Sequence, residues 1–141
     1  MPNWCYNRVE IYGEEAKEIA EKIASEETPF DFAKILPEPD YDKIEVEPTF
    51  GSTEAADAAH VATGGDFSMP KWWDWRVQNW GTKWNSSECE VTIMEDDQVE
   101  YTFNTAWGPP EGVIYKLREL YPDASITAFY DEPGMELAGY L

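Results

Sequence analysis

The 141-residue chain is short of the groups on which most protein chemistry depends: it holds one histidine, two cysteines, and 10 lysines and arginines against 29 aspartates and glutamates. A lone histidine, His60, excludes a multi-histidine metal site, and any histidine-dependent catalysis would have to pass through it. Cys-His chemistry would require His60 to meet Cys5 or Cys89, both of which sit in ordinary strand patterns. Two cysteines also fall far below the density of a secreted disulfide scaffold, so reduced thiols in a cytoplasm are the simpler reading. The first ten residues, MPNWCYNRVE, have neither a basic n-region nor an apolar h-region. No run approaches the roughly 18 apolar residues that a membrane span needs. Cytoplasmic localisation and no membrane contact are therefore expected. Removal of Met1 would leave Pro2 as an N-terminal amine, but nothing else in the sequence suggests an amine pocket. No cofactor and no metal are expected, and enzymatic activity is less favoured than binding.

The shortage of positive charge leaves a net −19, where a small soluble domain usually carries a magnitude of about 2–8. Direct nucleic-acid binding is disfavoured, because affinity for polyphosphates rests on lysine and arginine displacing counterions. A basic protein, in particular one that itself binds nucleic acid, is the natural partner. The blander account is a solubilising surface or adaptation to high salt. Disorder is opposed by an aromatic content of 15%, and the length fits one domain that buries roughly two-thirds of its unfolded surface. The oligomeric state is not readable.

Hydrophobic periodicity gives the architecture. CYNRVEIY, residues 5–12, places Val9 and Ile11 opposite Arg8, Glu10 and Tyr12, a half-buried strand ending at Gly13. Ala16, Ile19, Ala20, Ile23 and Ala24 then form an apolar helical stripe. ECEVTIM and VEYTFNT alternate on either side of the polar turn EDDQ and predict a hairpin. A proline-led helix carries Val113, Ile114, Leu117, Leu120 and Tyr121, and SITAFY supplies a last strand. The order βαββαβ predicts an α+β, ferredoxin-like antiparallel sheet with two helices on one face, as a single domain over 1–141. Residues 30–85 form an insertion too long for a plain connection. Within it TEAADAAHVA suits a short helix, and MPKWWDWRVQNWGTKW reads as a tryptophan-rich helix closed by Gly81. Trp73, Val77, Trp80 and Trp84 are spaced to pack one side of that helix on the body of the domain.

The sheet face away from the helices is expected to carry Glu10, Glu88, Glu90, Thr92, Glu100, Thr102, Asn104, Thr127 and Phe129. Ferredoxin-like RNA binders place stacking aromatics and basic residues there. Four glutamates and a single phenylalanine point elsewhere.

Short motifs run through most of the chain: MPNWCYN at the start, Ile35-Leu36-Pro37-Glu38-Pro39, NWGTKWN from Asn79 to Asn85, FNTAWGPP from Phe103 to Pro110, and Tyr130-Asp131-Glu132-Pro133-Gly134 followed by Gly139. Together they resemble the YubB-like group of ferredoxin-like proteins carried by phages, plasmids and other mobile elements. The resemblance implies the fold and the mobile-element setting, and it supplies no catalytic residue. Read from the residues alone, the tryptophans and asparagines of these motifs suit packing at half-wet interfaces. The competing reading is a groove formed by Trp80, Lys83, Trp84, Asn104 and Trp107.

Two functions follow as expectations. The first is an acidic accessory protein that occupies a basic, nucleic-acid-binding surface, as DNA mimics and anti-CRISPR inhibitors do. Its contact residues would be Glu10, Glu88, Glu90 and Glu100 on the sheet and Glu95, Asp96 and Asp97 at the hairpin tip. A fold of this length is about 35–40 Å across, and duplex DNA of that length carries about twenty phosphates, close to the charge of the chain. The second is a small-molecule-binding or hydrolytic domain using the tryptophan and asparagine groove. Asp40 and Asp42, or the three hairpin acids, lack the spacing of a calcium loop.

Overall fold

The computed structural model describes residues 3–45 and 70–141. The helix expected over TEAADAAHVA, His60 within it, and Met1 and Pro2 lie outside the described residues. The elements in chain order are β1 (Trp4–Tyr12), α1 (Ala16–Ile23), α2 (Phe32–Ile35), α3 (Lys71–Asn79), β2 (Ser87–Met94), β3 (Gln98–Ala106), α4 (Glu111–Leu120), β4 (Ser125–Glu132), a 3-10 turn (Pro133–Met135) and β5 (Leu137–Tyr140). The strands form one antiparallel sheet in the order β2-β3-β1-β4-β5. Its first four strands have the ferredoxin-like order expected from the alternation, and β5 is an addition to the expected βαββαβ order.

Strands β1, β3 and β4 each bury one face beneath the helices. Val9 and Ile11 of β1, Val99, Tyr101 and Phe103 of β3, and Ile126 and Ala128 of β4 are buried beneath Ile19 and Ile23 of α1 and Val113, Ile114 and Leu117 of α4. Burial of these aliphatic and aromatic groups, at roughly 1.5–3 kcal/mol each, is what fixes strand register, since a one-residue slip would turn them all to water. The insertion adds an aromatic layer to the same core. Phe30 stacks on Phe103 at 5.1 Å, and Phe32 meets Trp80 edge-on at 5.6 Å. The Asp31 side chain caps α2 by accepting from the Ala33 N–H at 2.9 Å.

Two expectations need correction. The tryptophan-rich helix stops at Asn79, so Trp84 is not on it, and although Trp80 packs in the core as expected, the helix residue packed beside it is Trp75. Gly81, at φ +93°, then turns the chain in a conformation that L side chains rarely adopt. Among the described residues no helix is long and apolar enough to cross a membrane.

Candidate protein-binding face

Strand register places the open face residue by residue. Tyr6, Arg8, Glu10 and Tyr12 of β1 stand opposite Asn104, Thr102, Glu100 and Gln98 of β3, and opposite Asp131, Phe129, Thr127 and Ser125 of β4. Glu90 extends the Thr102 row onto β2, and Tyr140 of β5 extends the Phe129 row on the other side. The expected glutamates therefore do share a face. Glu88 and Glu90 are exposed on the edge strand, whereas Glu10 and Glu100 are paired across β1 and β3.

Like charges directly opposite one another destabilise a sheet unless a cation intervenes. Arg8 supplies it: its Nε lies 3.4 Å from Glu10 and 3.7 Å from Glu100, and its guanidinium rests 5.3 Å from the Phe129 ring centre. Glu100 also accepts from Thr92 at 2.8 Å, and Glu10 from the Tyr12 hydroxyl. The Glu10 hydrogen bond, the largest cause, raises the Tyr12 hydroxyl above its ordinary pKa. Glu88 occupies a left-handed backbone conformation, φ +51°, at an irregularity in β2, and its carboxylate accepts from Asn104 Nδ2 at 3.2 Å. Glu95, Asp96 and Asp97 are exposed at the hairpin tip, with Lys17 of α1 reaching Asp96 at 3.6 Å.

The expectation of one aromatic on this face is overturned. Trp4 and Tyr6 lie on it by the alternation of β1, Tyr140 arrives with β5, and Trp84 leans against Trp4 with ring centres 6.1 Å apart. Tyr6 is 41% and Tyr140 65% exposed, against the rule that large rings seek burial. Tyr140 packs tilted against Phe129 at 5.3 Å, so Arg8, Phe129 and Tyr140 form one contiguous row of contacts. The face is acidic along β2 and β3 and aromatic along β1, β4 and β5. Nor are acids confined to it, since Glu14, Glu15, Glu18 and Glu21 are exposed around α1.

The five residues suggested as a groove are distributed over different surroundings. Trp80 is in the core, its indole N–H donating to the Leu36 carbonyl at 2.9 Å. Trp84 and Trp107 are exposed, Lys83 Nζ lies 4.4 Å over the Trp84 ring, and Asn104 belongs to the open face. The two motif segments do meet: Gly112 N–H donates to the Trp80 carbonyl at 3.1 Å, backbone to backbone, and the Thr82 side-chain hydroxyl donates to the Ala106 carbonyl at 2.9 Å. An open depression of about 760 Å³ lies between α1 and α2, lined by Ala24, Ser25, Glu26, Glu27, Asp31 and Lys34, and includes none of the five.

Neither thiol is set up as a nucleophile. Burial, the main cause, pushes Cys5 up to about 11 and raises Cys89 as well, and both are free. Among the described residues no group of three or more His, Cys, Asp and Glu side chains could hold a metal ion.

Residues 79–141 match a family model described as a ferredoxin-like domain in Api92-like protein. That span runs from the NWG motif through β2, β3, α4, β4 and β5. The whole chain is similar in fold to the crystal structure of a protein api92 from Yersinia pseudotuberculosis, with a TM-score of 0.61 and 11% identity over 99% of this chain and 93% of that one. No curated protein matches.

Proposed function

We propose that the chain is a non-enzymatic binding protein whose open sheet face covers a basic surface on another protein. The observation that carries this reading is the composition of that face, where the exposed carboxylates of Glu88 and Glu90 and the Arg8-bridged pair Glu10 and Glu100 border exposed tyrosine and tryptophan rings. Acidity alone does not single the face out, because α1 is as acidic. Rings beside acids do, since interface cores are enriched in Tyr and Trp, and charge complementarity steers the encounter. In its most specific form the partner is a nucleic-acid-binding host or defence protein. The chain would then be a cytoplasmic accessory protein of a phage or other mobile element, blocking that surface as a polyanion mimic or anti-CRISPR inhibitor does. Support for this form comes from the resemblance of the motifs and from the net −19.

The test is affinity capture from a host lysate at low and high salt, with wild type and a Glu88→Lys, Glu90→Lys, Glu100→Lys variant whose fold is verified by circular dichroism. A salt-labile basic protein captured by wild type and lost with the variant is the expected result. Capture of every basic protein unchanged by the triple reversal would end the proposal.

A further inference from the structure

The aromatic half of the face indicates which basic side chain it receives. Arg8 shows how this surface treats a guanidinium: one ring beneath it and two carboxylates beside it, at 3.4 and 3.7 Å. One row along, the same ingredients recur without a cation. Asp131 stands directly between Tyr6 of β1 and Ala138 of β5, with Tyr140 diagonal to it. Its carboxylate has no cation or hydrogen-bond donor against it among the described residues. The small Ala138 leaves the far side of Asp131 low, and the two tyrosines stand on strands two spacings, or about 10 Å, apart and one row out of step, with Asp131 and Phe129 on the strand between them. A planar cation seated on the Asp131 carboxylate would have Tyr6 beside it on β1 and Tyr140 diagonal to it on β5.

We infer that Tyr6, Asp131 and Tyr140 form a cage for an arginine side chain of the partner. The cage rests on the reading of the open face as the partner surface, and names the chemistry recognised there. Arginine is favoured over lysine because a guanidinium is planar and weakly hydrated, stacks on rings, and presents a fork of donors to a carboxylate, while an ammonium is a compact, strongly hydrated charge. A nucleic-acid strand stacked on the same rings is disfavoured, since Arg8, the cation at the centre of the face, is already bridged to Glu10 and Glu100.

The experiment measures binding of fluorescein-labelled hexa-arginine and hexa-lysine, and of a labelled ten-nucleotide single-stranded oligonucleotide, by anisotropy at fixed salt. The intact chain is compared with a Tyr6→Ala, Tyr140→Ala variant, with Asp131→Asn, and with the triple charge reversal. Two ring contacts, at two- to fivefold each, predict that wild type prefers hexa-arginine about tenfold. The preference should vanish in the double tyrosine variant and fall in Asp131→Asn, with lysine affinity little changed in the former. Equal affinity of wild type for the two peptides, a preference that survives loss of both rings, or tighter binding of the oligonucleotide overturns the cage. If the arginine preference is absent while charge reversal still abolishes peptide binding, the acidic face stands without the cage. Peptide binding indifferent to the triple reversal instead removes the acidic face itself.

Discussion

Glycine 112 shows how much of this fold depends on single atoms. A Cβ there would lie 1.6 Å from the Asn79 carbonyl oxygen and 2.7 Å from its carbon, so the end of α3 and the start of α4 touch through a bare backbone. Backbone cannot yield as a side chain can, and overpacking of this kind costs typically 1–3 kcal/mol and sometimes more. Gly112→Ala should cost about 3 kcal/mol or more, lowering the midpoint of a circular-dichroism melt by roughly 10 °C. Gly108, where an added methyl would meet nothing within 4 Å, is the control and should tolerate alanine with little change. A Gly112→Ala protein that melts with wild type would disprove the close approach. The sequence displays the two motifs, NWGTKW and WGPPEG, but not that they face one another, because contact between segments thirty residues apart leaves no periodic trace. It likewise marks Trp80 as important without revealing that its indole is buried against Phe32 and tied to Leu36.

At the scale of elements, what is legible is what has a period. β1, β3, α1 and α4 bury stripes that repeat at 2 or 3.6 residues, and each forms where the pattern places it. β5 has no such pattern: LAGY is four residues, mostly exposed, and pairs with β4 only because the turn at Pro133–Met135 and the left-handed Glu136 bring it back. Without β5 the pattern hides Tyr140, and an alternation begun at Cys5 leaves out Trp4, while Tyr6, which falls on the same side as Glu10, goes uncounted among the glutamates and threonines, so the open face reads as more purely acidic than it is. The packing side of α3 departs from expectation for a related reason: the helical spacing runs on through Gly81, where the helix has already ended. What holds α3 instead is Arg76, stacked 5.0 Å from the Trp72 ring and 4.9 Å from the Trp80 ring, bonded to the Lys83 carbonyl at 3.2 Å and paired with Glu38. Burial pushes the Glu38 carboxyl up, but hydrogen bonds from Arg76 and Tyr41 outweigh it and hold the group below its usual 4.5. A depressed pKa contributes stability above 4.5 that is lost as pH falls through the folded value. Acidification from pH 6 to pH 3 should therefore loosen α3, read as a change in tryptophan emission that precedes loss of the far-ultraviolet signal. In Glu38→Gln the emission at pH 6 should already be shifted, and its acid-dependent step should be smaller. An identical acid step in both proteins would show that the Glu38–Arg76 pair does not anchor the helix.

At the scale of the molecule the governing quantity is charge. With 29 acids and 10 lysines and arginines, most carboxylates must go without a partner whatever the fold. Among the described residues only Arg8, Lys17, Lys43, Arg76 and Lys116 make ion pairs within 4 Å. Several of those are exposed and contribute little. Self-repulsion then opposes the compact state, and it acts through water over distances that salt can shorten, from about 30 Å at 0.01 M to about 8 Å at 0.15 M. Repulsion between α1 and the sheet, which are separated by an uncharged core, falls in that range, whereas the Arg8 and Arg76 clusters are too short-ranged to be screened as strongly. Sodium chloride should accordingly stabilise the protein, raising the melting midpoint by several degrees, with most of the gain below about 0.15 M. The same salt should weaken capture of a basic partner, so stability and binding move in opposite directions on one titration. That divergence separates a functional negative field from a solubilising one, because a merely solubilising surface predicts the first trend without the second. A melting midpoint that is flat or falls with added salt would mean that local ion pairs, and not the net charge, set the electrostatic balance of the fold.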